Sequence, residues 1–414
     1  MTDRLEFKQQ EEARDIPPST SSAAAASPSL IPAYFLALGT FAIGTEGFMI
    51  APLLPTIADD LKMSLSATAM LVVVFTLTLA VSSPISTVLT GKFNRRATLL
   101  LAMAIFTAGN LLAAFSTSFG TLMVARILMA AAAGLYVPSA NALAGSIAGP
   151  EKRGRALAIV SGGMTIAIAL GLPLGAVVGN SFGWRATFLA VAVMGLVALV
   201  GITSGIKSNA GAGMAVAGLA ERVRVVRQAA ILRLLAITLF WSIGAYTAYP
   251  YIAPYLTSVL DFGVIGISAM VSMWGVAAAV GVTTGGHLND KYGSQHVVAV
   301  SLLLLMLSFV ILAAATLLGA KQAVLPVIIA VAVWGFSVWS FFPAQMARLI
   351  AASSHAQASV SLSLNTSTMY LGFSIGSAIG AGIIDHGVVW PIGVAAAASE
   401  AISLGLHRRF SRKA

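Results

Sequence analysis

Runs of about twenty apolar residues recur along this chain almost without pause, separated by short polar gaps. A helix rises about 1.5 Å per residue, so a run of roughly twenty crosses the hydrocarbon core of a bilayer. The pattern predicts twelve spanning helices, over 31–55, 66–90, 97–116, 120–147, 155–179, 185–205, 232–258, 265–286, 295–317, 323–346, 357–384 and 388–406. Glycine and proline inside these runs do not veto helices, because packed neighbours re-satisfy the freed backbone groups. The longest polar gap, from about 208 to 228, divides the chain near its middle. The expected fold class is therefore an all-α membrane protein of two six-helix halves, 31–206 and 231–407. A cytoplasmic linker over 207–230 would join them, with a disordered cytoplasmic tail at 1–30 and a basic cytoplasmic tail at 408–414.

The halves read as repeats. Ile50-Ala-Pro-Leu-Leu54 in span one matches Ile252-Ala-Pro-Tyr-Leu256 in span seven. Gly171, Gly175 and Gly179 in span five match Gly372, Gly376 and Gly380 in span eleven, and Pro138 in span four matches Pro343 in span ten. Three matches in consistent order, all offset by close to 200 residues, imply two halves of the same orientation related by an axis along the membrane normal. That arrangement puts a substrate site near midplane, between the halves.

Composition agrees. Of 414 residues, 58% are hydrophobic and only 9% charged, against roughly 25% charged in soluble domains, so most of the outer surface must face lipid. The net charge of +10 does not point to nucleic acid, because the basic residues are spread through the gaps between apolar runs. With the N-terminus inside, the inner gaps hold Lys92, Arg95, Arg96, Lys152, Arg153, Arg155, Lys207, Arg222, Arg224, Arg227, Arg233, Lys291 and Arg348, while the outer gaps hold little beyond Lys62, Arg185 and Lys321. That asymmetry places both termini in the cytoplasm. The basic end of the linker, Glu221-Arg-Val-Arg-Val-Val-Arg227, either lies against anionic headgroups or is an ordinary solvated loop. There is no cysteine, which excludes disulfides, thiol nucleophiles and thiolate zinc sites.

Ionisable residues inside the spans carry the most information, since each costs roughly 2.5–3.5 kcal/mol on insertion scales. Glu46 lies past the middle of span one and Arg126 about six residues into span four, at similar depth if the spans alternate in direction. The two could meet inside the first half. The matching second-half positions are Ala248 and about Val331, so the charged apparatus belongs to one half. Glu46 is expected to bind and release a coupling proton, with Arg126 favouring its charged form. A permanent structural pair and direct substrate binding are the alternatives. Asn141 and Asn365 are candidate hydrogen-bond partners for a substrate, and Trp241, Tyr246, Tyr249, Trp334 and Trp339 are candidate aromatic walls, though such residues also serve helix packing and the interfacial belt. Asp59, Asp60, Arg185, Asp261, Asp385 and His386 read as solvated outer residues, and Glu400 as an interior residue capped locally.

Four motifs make the chain similar to the major facilitator superfamily over about 31–406. Within it the chain resembles the twelve-span drug/proton antiporter branch and its sugar-efflux, arabinose-efflux-permease-like relatives. They are Thr45-Glu-Gly-Phe-Met-Ile-Ala-Pro-Leu-Leu-Pro-Thr-Ile-Ala-Asp-Asp-Leu61; Arg126 with Gly134 and Pro138; Gly171-Leu-Pro-Leu-Gly175 with Gly179; and the loop Gly286-His-Leu-Asn-Asp290-Lys291-Tyr-Gly293. The first-half counterpart of that loop, Gly91-Lys-Phe-Asn-Arg-Arg96, lacks the Asp and the second Gly. The resemblance implies that Gly171, Gly175 and Gly179, with Pro173 adding a bend, form a sliding surface between the halves. Static close packing is the alternative. Gly372, Gly376 and Gly380 take the same reading. Gly286, Asp290, Lys291 and Gly293 imply a tight turn between spans eight and nine.

The function expected from all this is secondary active transport by alternating access, most simply proton-coupled efflux of a small organic solute, a drug or a sugar, across a bacterial inner membrane. The alternative is a facilitator or an uptake symporter for a small polar solute. No nucleotide loop, nucleophile–base pair or metal-ligand cluster is evident, so neither an enzyme nor a cofactor beyond the coupling proton is expected. The expected partners are a small-molecule substrate and membrane lipid, with the protein a monomer.

Overall fold

In a computed structural model the described residues are 29–90, 93–208, 210, 218–354 and 357–411, and among them every regular element is helical. Residues 1–28 of the expected disordered tail at 1–30, the first-half loop's opening Gly91-Lys92, much of the linker and the end of the C-terminal tail fall outside the described residues. Span one is Ile31–Leu61, span two Leu65–Leu89, span three Arg95–Ala114, span four Phe119–Ile147 and span six Trp184–Gly205. Span five runs as Gly149–Ile166, a π-helical turn Ala167–Gly171, and Leu172–Phe182. After a linker helix, Leu219–Val226, span seven runs as Ala229–Ala248, a 3-10 turn Tyr249–Tyr251, and Ile252–Leu260. Spans eight to twelve are Val264–Tyr292, Ser294–Ala315, Ala320–Ala352, Ala358–Asp385 and Trp390–Ser411.

Among the described residues, eleven helices are long and apolar enough to cross a membrane. The twelfth, Trp390–Ser411, has the length but less apolar character, since it carries Ser399, Glu400, Ser403, His407 and two arginines. Its serines zip it to span seven instead: Ser399 donates to the Phe240 carbonyl at 2.6 Å and Ser403 to that of Ile237 at 2.9 Å. Most helices run a turn or so beyond their apolar runs. Span one, for instance, reaches Leu61 rather than residue 55, the helix running on through Pro55 and the polar Asp59 and Asp60.

Local chemistry sets the ends. Ser118 caps span four by accepting from the Thr121 amide at 3.2 Å, and Asn94 caps span three through the Arg96 amide at 2.9 Å. Spans one and seven end alike, in left-handed residues Lys62 (φ 53°) and Asp261 (φ 54°), whose amides turn back onto the last carbonyls. In span five Pro173 has no N–H to close the ladder, and the backbone widens into the π turn just before it.

The packing repeats as the sequence does. Span one packs on five and six, and span seven on eleven and twelve; two and three pack on four, and eight and nine on ten; three packs on six, and nine on twelve. The halves meet along spans two and eleven, along five and eight, and where the outer segments of one and seven touch. Hydrogen bonds cross this seam from Ser374 to the Val73 carbonyl at 3.0 Å, from Ser66 to Asp385 at 2.6 Å, and from the Tyr249 hydroxyl to the Phe48 carbonyl at 3.0 Å. Side chains such as Leu170, Val177, Val197 and Val200 lie exposed on the outer faces, as a lipid-facing surface requires.

The glycine faces correct one expectation. A Cβ on Gly171 would meet Thr45, on Gly175 Met49 and on Gly179 Leu53, all in span one. Those on Gly372, Gly376 and Gly380 would meet Ser242, Ile243, Thr247 and Tyr251 of span seven. Both stripes therefore lock helices together inside a half and do not form the sliding surface between halves. The close approach across the seam is made by Gly275 of span eight, where an added Cβ would stand 2.5 Å from the Ile168 carbonyl in the π turn. The loop motif does turn tightly between spans eight and nine, but through Gly293 alone, at φ 80°; Gly286, Asp290 and Lys291 are still helical.

Several residues expected to be merely solvated have partners. Asp60 is paired with Arg185 at 2.7 Å, and Arg185 also donates to the Ser116 carbonyl at 2.9 and 3.0 Å while lying over the Trp184 ring. Asp385 takes the cross-seam bond from Ser66. The linker helix buries Val225 and Arg222, the latter bonded to Ser363 at 2.9 Å, so its basic stretch is partly docked on span eleven.

Candidate functional site

The charged centre forms in the first half. Span one carries Glu46 and span four carries Arg126, and the two side chains form an ion pair with neither exposed at all. The guanidinium also donates to the Leu71 carbonyl of span two at 3.3 Å and lies 3.9 Å from the centre of the Phe75 ring. Three helices thus hold one cation. The pair is not saturated: Glu46 Oε2 and Arg126 Nη2 have no hydrogen-bond partner among the described residues. Phe75 and the Leu71 carbonyl went unforeseen; their only signal was the polarity-free stretch of span two opposite Arg126.

Aromatic residues form the facing wall. Spans seven, eight, ten and eleven contribute rings, and Phe48, two residues after Glu46, reaches across the seam to them. The contacts close on themselves. Phe48 touches Tyr249 at 6.0 Å, Tyr249 touches Tyr246 at 5.3 Å, and Tyr246 stacks on Phe373 at 3.6 Å. Phe373 touches Trp241 at 6.3 Å, Trp241 touches Phe342 at 6.5 Å, Phe342 touches Trp339 at 6.0 Å, and Trp339 returns to Phe48 at 5.8 Å. Behind this circuit, Trp274 and Trp334 pack on Tyr249 and on each other, and Phe309 backs Trp334. Tyr370 packs edge-on against Phe373 at 5.6 Å. All five aromatic residues singled out in the sequence therefore belong to one cluster. Phe48, Trp274, Phe342, Tyr370 and Phe373 join it without having been foreseen. Phe373 sits directly after Gly372 and Trp274 directly before Gly275, so a ring beside a close-packing glycine is the pattern that could have marked them.

The two asparagines lie elsewhere. The Asn141 amide donates to its own helix, to the Val137 carbonyl at 3.1 Å. Asn365 is fully buried, accepting from Thr238 at 2.7 Å with its amide 3.5 Å from the Met346 sulfur, in a network that includes Gln345. Asn365 is thus engaged in packing between spans seven, ten and eleven, whereas Asn141 is part-buried and bonds through its amide nitrogen to its own helix. Glu400 faces span seven opposite Gly244, as an interior residue should, but neither carboxyl oxygen finds a partner among the described residues, so the expected local cap is not formed. No group of three or more potential metal ligands is present among them.

Residues 36–377 match the family model for the Major Facilitator Superfamily. The chain is 31% identical to the MFS-type transporter YbcL of Bacillus subtilis (strain 168), over 85% of this chain and 88% of that one. It is 31% identical to the inner membrane transport protein YdhP of Escherichia coli (strain K12), over 86% and 90%, and 33% identical to a chloramphenicol resistance protein of Streptomyces lividans, over 67% and 71%. Among solved structures, a bacterial homolog of the human lysosomal transporter Spinster, inward-facing and unoccupied, aligns with TM-score 0.73 at 16% identity, over 92% of this chain and 96% of that one. The family match, the repeated six-helix halves and the buried seam between them agree: the chain belongs to the Major Facilitator Superfamily and is a membrane transporter, not an enzyme.

Proposed function

We propose that this transporter exports a small organic solute in exchange for protons, with Glu46 as the residue that binds and releases the proton. The observation that carries the reading is the fully buried, incompletely bonded Glu46–Arg126 pair beside the seam. Protonating Glu46 cancels its attraction to Arg126 and leaves the cation to Leu71 and Phe75, so one proton changes what spans one, two and four prefer. The aromatic wall of the second half meets span one at Phe48, two residues beyond Glu46, where a solute held between the halves would act close to the pair. The direction of transport is supported by the Streptomyces relative, named as a chloramphenicol resistance protein. The site is bacterial inner membrane in the relative YdhP by its name. With the basic residues of this chain gathered on one side, both termini would be cytoplasmic there.

The test is proton flux in proteoliposomes during solute addition, for the wild type and Glu46→Gln. Solute-triggered proton movement against the solute's direction, absent in the variant, is the expected result. Solute movement with no proton flux in the wild type would make the pair a structural element of a facilitator.

A further inference from the structure

Buried tryptophans usually find an acceptor for the indole N–H, and each buried polar group without one needs a reason. In this protein Trp184 does find one, donating to Asp60 at 3.3 Å. Trp241, Trp274, Trp334 and Trp339 do not: all four indole nitrogens are buried without an acceptor among the described residues. These four are the tryptophans of the second-half aromatic cluster, and their exposures run only from 0% to 7%, so bulk solvent does not reach them. Indole is a donor only. Arg126 Nη2, a further donor, is also without a partner beside the cluster.

We infer that this cluster is a substrate site for planar, uncharged aromatic compounds that carry hydrogen-bond acceptors, such as carbonyl or nitro oxygens, and few donors. The inference rests on the reading of the protein as a carrier with its solute between the halves, and deepens it by naming the solute's chemistry. Rings supply apolar edges and faces for a planar aromatic body. The orphan N–H groups supply what an acceptor oxygen needs once it leaves water. A sugar fits poorly, because each hydroxyl brings a donor that the four indoles cannot satisfy, and an unpaired hydroxyl buried here is penalised. A permanently cationic aromatic compound meets the donors' positive ends. Phe48 and Trp339 place this chemistry on the seam, so a ligand there touches both halves at once.

The experiment compares binding of three probes to the purified full-length protein in detergent by equilibrium dialysis: 2-acetylnaphthalene, naphthalene and methyl glucoside. One hydrogen bond gained makes 2-acetylnaphthalene bind about two- to tenfold tighter than naphthalene. A cluster without usable donors reverses that order, since the ketone would be buried unpaired. Trp339→Phe, and then Trp274→Phe, Trp241→Phe and Trp334→Phe, keep a ring and remove the N–H. At least one of them is expected to collapse the preference while leaving naphthalene bound, which also shows that the cluster is intact. The inference is overturned if naphthalene binds as tightly as 2-acetylnaphthalene to the wild type, if methyl glucoside binds and the naphthalenes do not, or if the preference survives all four substitutions. No proton gradient is involved, so a negative flux result for Glu46→Gln leaves this measurement standing, and its failure leaves the flux result standing.

Discussion

Breaking the Glu46–Arg126 pair from one side should destabilise the protein more than removing it from both. Arg126→Met keeps most of the side-chain volume but leaves Glu46, with no exposure and its second oxygen already unpartnered, as an isolated carboxylate. Removing one partner of a buried pair costs about 3–5 kcal/mol, whereas replacing both by groups of similar volume is often neutral or stabilising by about 1–4 kcal/mol. The cation–π contact of Arg126 with Phe75, at 3.9 Å, is lost in either case and is worth about 0.5–2 kcal/mol. Glu46→Gln should cost less than Arg126→Met, because the amide oxygen still accepts from Arg126 while Phe75 and the Leu71 carbonyl continue to hold the cation. The double variant Glu46→Gln/Arg126→Met should then be more stable than Arg126→Met alone, a coupling of several kcal/mol in the double-mutant cycle. The assay is apparent unfolding temperature in one detergent at one scan rate, since large membrane proteins commonly unfold irreversibly. Additive effects, with the double variant the least stable of the three, would refute the argument, because they would mean that neither charge depends on the other.

Two further outcomes separate packing from exposure. Gly376→Ala should lower stability by about 1–3 kcal/mol, because the new Cβ would stand 2.9 Å from the Thr247 amide and closer still to the Ile243 carbonyl, while Gly286→Ala, helical and with nothing within 4 Å, should leave the same unfolding temperature unchanged or slightly raised. At the partly exposed outer pair, Asp60→Asn should cost at most about 1 kcal/mol and Arg185→Ala more, since that residue alone also gives two hydrogen bonds to the Ser116 carbonyl; equal effects in the same assay would show that the Ser116 contacts contribute nothing.

The fold was legible because a bilayer enforces a simple code: length and apolarity alone locate helices whose backbone groups must all be satisfied internally. The repeat was legible because identical turn and packing problems recur about 200 residues apart, at Pro52 and Pro254 or at the two glycine stripes. What those glycines face was not legible. Small residues announce that some helix comes close, but not which one, and here the close neighbours of Gly175 and Gly376 lie in their own halves. Helix twelve was blurred for a related reason: Ser399, Glu400 and Ser403 lower its apolarity, yet the two serines are what bind it to span seven.

The site divides along the same line between depth and direction. Glu46 and Arg126 could be matched from sequence because depth in a membrane is a count of residues, and a buried charge needs a partner at its own depth. Asn141 and Asn365 could not be resolved that way, since a polar residue inside a span serves equally well a substrate or helix packing; here Asn365 bonds Thr238 of span seven and the Asn141 amide nitrogen bonds its own helix. The aromatic residues were visible one by one, but their union into a circuit depends on rotamers and on Phe48 crossing from the other half. This has a consequence for how the repeats work together. The scaffold is nearly two-fold, while the chemistry is not: the first half holds the ion pair and the second the aromatic donors, and Phe48 meets Tyr249 and Trp339 where the two touch. Under the proposed reading of the ion pair and the aromatic cluster, a symmetric rocking motion would couple two unlike ligands, because each half would move its own chemistry past the other's at the same seam.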